Sequence, residues 1–136
     1  MQKLYVSPTP FTPEIHLSPD ENIFIISGTS SPEDVRALYY PVIEYIRTLV
    51  DNILLNKNNI YSHENPLKFQ VDLDYFNSSS AKFLYDIFME LNKLSQSEIP
   101  VIIEWYHDVE DIDMKEAGSD IAFLAEMEFT FIPKPK

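Results

Sequence analysis

An α/β fold is predicted for this chain: a mixed sheet of about five strands with three to four helices, all within one domain, residues 1–136. Three observations predict it. Segments whose apolar and polar residues alternate take turns with segments whose apolar residues recur every three or four positions, in the order strand, strand, helix, strand, helix, strand, helix, strand. A length of 136 residues suits one hydrophobic core and is short for two. Hydrophobic residues make up 45% and aromatics 13%, enough for a packed interior despite a formal net charge of −12.

Residues 1–13 carry Pro8, Pro10 and Pro13 and read as an irregular lead-in. Glu14-Ile15-His16-Leu17 predicts a short strand, Ser18-Pro19-Asp20-Glu21-Asn22 a turn, and Ile23-Phe24-Ile25-Ile26-Ser27-Gly28 the second strand of a hairpin. Ser31-Pro32-Glu33-Asp34 predicts a helix start, with Ser31 as cap, Pro32 at the first position and Asp34 as the capping-box acid. The helix runs to about Leu55 on a stripe of Val35, Leu38, Val42, Ile46, Leu49 and Ile53. Pro41 removes an N–H within it and predicts a kink or break near Tyr39 and Tyr40.

Asn56 to Pro66 is a polar loop, with Lys57, Asn58, Asn59 and Asn65. Alternation from Leu67 to Tyr75 predicts the third strand, and Ala81, Leu84, Ile87, Phe88, Leu91 and Leu94 a helix ending near Leu94. Val101-Ile102-Ile103-Glu104-Trp105-Tyr106 is almost continuously apolar, the pattern of a central strand covered on both faces. An acidic stretch leads to a short helix ending around Ala125. Met127 to Ile132 then alternates as an edge strand, with Pro133 and Pro135 ending it. Right-handed crossovers join the parallel strands.

Composition excludes several functions. With 22 acidic against 10 basic residues the field repels phosphodiester backbones and anionic lipid, so neither nucleic acid nor a membrane is expected as a partner. No apolar run approaches the roughly 20 residues of a membrane span, and Met1-Gln2-Lys3-Leu4 leads into prolines, so no export signal is expected. The absence of cysteine excludes disulfides, thiolate catalysis and cysteine-ligated zinc, and fits a reducing cytoplasm. With only Gly28 and Gly118, neither a Walker loop nor a dinucleotide fingerprint can be drawn, and no cofactor is expected.

His16, His63 and His107 form no helical zinc pair. His107 to Asp120 concentrates carboxylates. Calcium-loop spacing fails there because, counting from Asp108, Ile112 takes position 5 and Asp113 stands where a glycine is needed. Asp111 or Asp113 instead suits the cap of the following helix. No Gly-x-Ser-x-Gly elbow exists, so a serine hydrolase would require Ser78, Ser79 or Ser80 to meet a distant histidine such as His107.

The stretch Val71 to Lys82 joins a strand to a helix through Asn77-Ser78-Ser79-Ser80. Helix starts expose N–H groups without intrahelical partners and favour negative charge, so a phosphate on one of these hydroxyls is locally tolerated. Capping alone needs one side chain, and this cluster supplies more. Lys82 lies one turn beyond Ser78, in reach of a phosphate or an acidic partner group, or simply solvated.

Tyr75-Phe76-Asn77-Ser78-Ser79-Ser80, with Trp105-Tyr106-His107-Asp108, Glu110-Asp111-Ile112-Asp113-Met114 and Glu116-Ala117-Gly118-Ser119-Asp120, resembles the SiaC family of bacterial regulatory phosphoproteins. Thr12-Pro13-Glu14-Ile15 and Ile26-Ser27-Gly28 before Ser31-Pro32-Glu33 resemble that family's opening. The resemblance implies a STAS-like architecture, related to anti-sigma-factor antagonists, and a non-enzymatic partner switch in c-di-GMP signalling and biofilm regulation. It implies phosphorylation of Ser78 by a protein kinase, reversal by a PP2C-type phosphatase, and binding of a diguanylate cyclase by the unphosphorylated form. Asn77, Ser79, Ser80 and Lys82 would then surround the phosphosite and meet the partner. The serine run leaves the register of the acceptor open by one residue. A constitutive protein-binding scaffold and a serine or metal-dependent hydrolase are the alternative readings.

Overall fold

In the computed structural model, residues 1–55 and 60–135 are described. The strands are β1 (Leu4–Val6), β2 (Glu14–Ser18), β3 (Ile23–Ser30), β4 (Leu67–Phe76), β5 (Val101–Asp108) and β6 (Phe129–Lys134). The helices are α1 (Val35–Leu55), α2 (Ser78–Gln96) and α3 (Ile112–Ala125), with a 3₁₀ turn at Pro19–Glu21. The six strands lie side by side in chain order. β1, β2 and β3 pair antiparallel, and β3 to β6 pair parallel. The mixed α/β sheet is as expected, with one strand more than the sequence predicts.

The extra strand is β1, inside the proline-bearing lead-in. Leu4 and Val6 pair with Leu17 and Ile15 and pack on the core from the edge. The hairpin after β2 closes at Asn22, whose left-handed backbone (φ 52) is the kind of conformation asparagine tolerates. Its side-chain amide donates to the Pro66 carbonyl (2.9 Å), tying the hairpin to the segment before β4. Of the predicted loop Asn56–Pro66, Asn56, Lys57, Asn58 and Asn59 lie outside the described residues. Ser62 and Asn65 exchange backbone bonds of 3.1 Å in the remainder.

Two expectations about α1 are corrected. Asp34, not Ser31, is the cap, its Oδ1 accepting the Ala37 N–H at 3.1 Å. Ser31 is held elsewhere, its N–H bonded to the Phe11 carbonyl at 2.7 Å, which keeps Ser31 to Asp34 out of the helix. Pro41 does not break α1. The carbonyl it deprives of a donor belongs to exposed Ala37, open to water, while Tyr39, Val42, Ile43 and Ile46 bury the helix on both sides of it.

The expectation that β5 is covered on both faces is also corrected. Ile15, Leu17, Phe24, Ile26, Leu67, Phe69, Val71, Ile103 and Trp105 are all buried and share one face of the sheet. Parallel strands laid down in sequence order by right-handed crossovers put every helix on the same side. α1 reaches that face through Tyr39 at Ser30, α2 through Phe88 against Phe69 (6.2 Å between rings), and α3 through the Met114 carbonyl, which accepts the Trp105 indole N–H at 3.0 Å. The other face carries a half-buried polar layer. Gln70 donates to Glu104 and to Tyr106, both at 3.0 Å, and Lys134 donates to Asp72 at 2.6 Å.

β6 begins at Phe129, two residues later than predicted, and runs through Pro133. The Lys134 carbonyl accepts the Val109 N–H at 3.0 Å, so the polar groups of Lys134 turn toward β5. Those of Pro133, one residue away, turn outward, and the missing N–H costs no ladder bond.

Gly118 lets α3 lie against Trp105: a Cβ built there would come within 2.5 Å of the indole nitrogen. Trp105 is fully buried and cannot retreat. Gly118→Ala should therefore lower stability by about 1–3 kcal/mol. Urea unfolding followed by the fluorescence of Trp105, the chain's one tryptophan, measures it.

Candidate functional site

α1, α2 and α3 each start from the end of a parallel strand, after β3, β4 and β5 respectively, so all three helix N-termini gather at one end of the sheet. Asp34, Asn77 and Asp111 cap them. Of the two candidates that the sequence offers, Asp111 and Asp113, Asp111 is the cap, accepting the Met114 N–H at 3.0 Å. Asn77 is the neutral cap between two anionic ones.

Asn77 holds the start of α2 from both directions. Its extended backbone donates to the Ser30 carbonyl at 3.0 Å, and its Oδ1 accepts the Ser80 N–H at 2.9 Å and the Ser79 hydroxyl at 3.1 Å. Successive residues of a helix turn by about 100°, so the three serines face three ways. Ser78 and Ser79 are exposed, whereas Ser80 is fully buried.

The Ser80 hydroxyl donates to the Ser30 carbonyl (3.1 Å) and accepts from the Ser30 hydroxyl (2.9 Å). The Ser30 proton being used, the phenol of Tyr39, 2.6 Å from Ser30 Oγ, is the donor of the next bond. A chain of hydroxyls thus runs from Tyr39 on α1 through Ser30 on β3 to Ser80 on α2. Burial pushes the Tyr39 phenol above its ordinary value of 10.0, against the opposing pull of its bonds with Ser30 and Ser80.

The structure therefore brings Asn77, Ser79 and Ser80 into one bonded group and leaves Ser78 outside it, at the first helical position. Lys82 is directed elsewhere, paired with Asp86 at 2.8 Å and lying 5.2 Å from the centre of the Phe83 ring. Lys82 also opens a groove of about 450 Å³ between α1 and α2, lined by Tyr40, Ile43, Phe83, Asp86 and Met89 among others. Tyr40 and Met89 keep 53% and 41% of their surface in contact with solvent.

Sequence reasoning missed Ser30, Tyr39 and this groove. Ser30 stands 50 positions from Ser80, and no local pattern announces such a contact. His107 is buried in β5 with Nδ1 3.0 Å from the Asp108 carbonyl, and Ser80, the sealed serine, is bonded to Ser30 instead of to a histidine. Among the described residues no three His, Asp or Glu side chains converge on a possible metal position. No helix among them is long and apolar enough to cross a membrane.

Comparison with known proteins adds to this geometry. The profile of the SiaC family of regulatory phosphoproteins matches residues 6–134. An uncharacterized protein of Pseudomonas aeruginosa (strain UCBPP-PA14) is 27% identical over 132 residues, covering 96% of this chain and 94% of that one. Apo-SiaC from Pseudomonas aeruginosa has the same fold, with a TM-score of 0.79 at 24% identity over 96% of this chain and 98% of that chain. A chain from the crystal structure of the diguanylate cyclase SiaD in complex with its activator SiaC, also from Pseudomonas aeruginosa, superposes with a TM-score of 0.78 at 23% identity, covering 98% of this chain and 99% of that chain.

The hydroxyl chain predicts unequal costs along the serine run. Ser80→Ala leaves the buried Ser30 hydroxyl without its acceptor and should cost about 1–3 kcal/mol, whereas Ser78→Ala should change stability by no more than about 0.5 kcal/mol. Urea denaturation of the two variants decides, and equal losses would contradict the assignment. The raised Tyr39 value carries a pH dependence as well. Its contribution is fully present below pH 10, where both states are protonated, and is lost above it as the unfolded phenol ionises first. Unfolding titrations between pH 8 and 11 should show stability falling only in the upper part of that range, less steeply in Tyr39→Phe.

Proposed function

The chain belongs to the SiaC family of regulatory phosphoproteins, and on that premise we propose that it is a non-enzymatic signalling module switched by phosphorylation of Ser78. In this reading the unphosphorylated protein binds and regulates a diguanylate cyclase, as the relative SiaC is the activator of the cyclase SiaD with which it forms a complex. A protein kinase of the cytoplasm modifies Ser78 and a PP2C-type phosphatase restores it.

The observation that carries this reading is the contrast between Ser78 and Ser80. One hydroxyl stands in solvent at the first position of α2, and the other is sealed in the hydroxyl chain two residues on. Ser79 is exposed too, but its hydroxyl is spent on Asn77. A kinase must reach the oxygen it modifies, and Ser78 is the one that offers itself without breaking a bond.

Electrostatics assign the effect to the partner. A phosphate adds about −1.5 to −2 charges, and the α2 macrodipole returns only about 0.3–1 kcal/mol. The neighbouring caps Asp34 and Asp111 are carboxylates, and Lys82 is already paired with Asp86. The phosphate finds little inside the molecule to reorganise around, so the fold stays as it is. On a surface that a partner desolvates, an unpaired charge costs about 2–5 kcal/mol, a loss of tens- to thousands-fold in affinity. The groove that begins at Lys82, one turn from Ser78, supplies such a surface with exposed Tyr40 and Met89 on its rim.

Incubation with the cognate kinase and ATP should place one phosphate on Ser78 by mass spectrometry, with no label in Ser78→Ala. Against a diguanylate cyclase from the same cell, Ser78→Asp should bind at least about tenfold more weakly than Ser78→Ala. Equal binding would point to a constitutive scaffold instead.

A further inference from the structure

We propose that the outward face of α3 is a second docking surface, and that its occupant is a cationic amphipathic helix of a partner protein. This surface lies on α3 and the turn before it, not on the helix that carries Ser78.

Four of the large apolar side chains that the molecule leaves in water belong to α3 and the turn before it. Val109 is 56% exposed, Ile112 66%, Leu124 62% and Phe123 82%. Ile112 and Phe123 are eleven residues apart, three helical turns, so they share one face with about 16 Å between them. Glu116, Ser119 and Asp120 are exposed between those two positions. The opposite face is complete without them: Met114, Gly118, Ile121, Ala122 and Ala125 are buried.

The helix cannot roll to hide Phe123. Gly118 lies against the Trp105 indole with no room for a Cβ, and the Trp105 N–H is bonded to the Met114 carbonyl at 3.0 Å. These two contacts fix the rotation of α3 about its own axis. The exposure of its outer apolar residues is therefore built into the fold.

Charge selects the occupant. From Asp108 to Glu128 the chain carries eight carboxylates and one lysine, Lys115. Such a surface repels anionic lipid, and a second copy of the same face would set carboxylate against carboxylate. A helix with leucine-like residues at the spacing of Ile112 and Phe123 and with lysine or arginine between them matches both features, as amphipathic helices do when they lay apolar anchors onto a complementary face. The patch is about three turns long, which suits a weak, salt-sensitive contact.

The test uses the full chain and a fluorescein-labelled peptide of about 18 residues, five helical turns, built from leucine and lysine in this pattern. Anisotropy should show binding that weakens with added salt. It should weaken at least about tenfold in the Phe123→Ser/Leu124→Ser variant and again in Glu116→Lys/Asp120→Lys. The altered side chains are exposed, and unchanged Trp105 emission verifies that each variant is folded. Ser78→Asp should bind the peptide as the parent does, so failure here and failure of the Ser78 reading are separate outcomes. Undetectable binding to the parent protein, equal binding by the Phe123→Ser/Leu124→Ser variant, or equal binding of a glutamate-for-lysine peptide would each overturn the proposal. So would sedimentation of the free protein as a dimer that Phe123→Ser dissolves, or Phe123-dependent binding to anionic phospholipid vesicles.

Discussion

The buried hydroxyl chain from Tyr39 through Ser30 to Ser80 is the constraint on which the functional end of this molecule depends. It joins the second turn of α1 and the first turn of α2 to the end of β3 with no charged group, and every proton in it has one acceptor. Charged groups would fasten the same elements at a heavy desolvation cost, and apolar ones would not fix the rotation of α2. Because the chain takes up the inward hydroxyl and Asn77 takes up the next, the remaining one is delivered to solvent in a defined place. The presentation of Ser78 follows from what its neighbours are doing.

Rigidity and response are thus separated within four consecutive residues. Asn77 and Ser80 are structural and Ser79 is bonded to the cap, while the Ser78 hydroxyl is free to change without disturbing the core. The surrounding charge favours the same division. In the proposed switch, the carboxylates that cap the helices on either side of α2 and the pairing of Lys82 with Asp86 leave a phosphate on Ser78 little to draw in, in contrast to switches that reorder a loop around an arginine. On that proposal, the signal would leave the module through altered docking and not through a change of shape.

Much of this was legible in the sequence. The alternation of Leu67 to Tyr75 followed by the helical spacing of Ala81 to Leu94 placed the strand, the helix and the serine-bearing start between them, and the run of acids after Asp108 fell where a cap belongs. What escaped were contacts between distant segments. The burial of Ser80 is decided by Ser30 and Tyr39, and the start of α1 by a bond from Ser31 to Phe11 that overrides a good local capping signal. Pro41 misled because its cost depends on whether the orphaned carbonyl meets water, which the exposure of Ala37 settles. The apolar run in β5 misled for a related reason: its outward residues lie in a half-buried layer shared with Gln70 and Tyr106, which a one-dimensional pattern does not distinguish from full enclosure.

Pro133 has a wider consequence. At the rim of β6 it withdraws a donor from the outward row, and at the opposite rim β1 is only three residues long. Neither margin offers a foreign strand much to zip onto. Docking by strand addition is therefore disfavoured at both rims, which leaves side-chain surfaces, on the helices or on the open polar face of the sheet, as the ground for contact and lowers the tendency of the edges to template fibres.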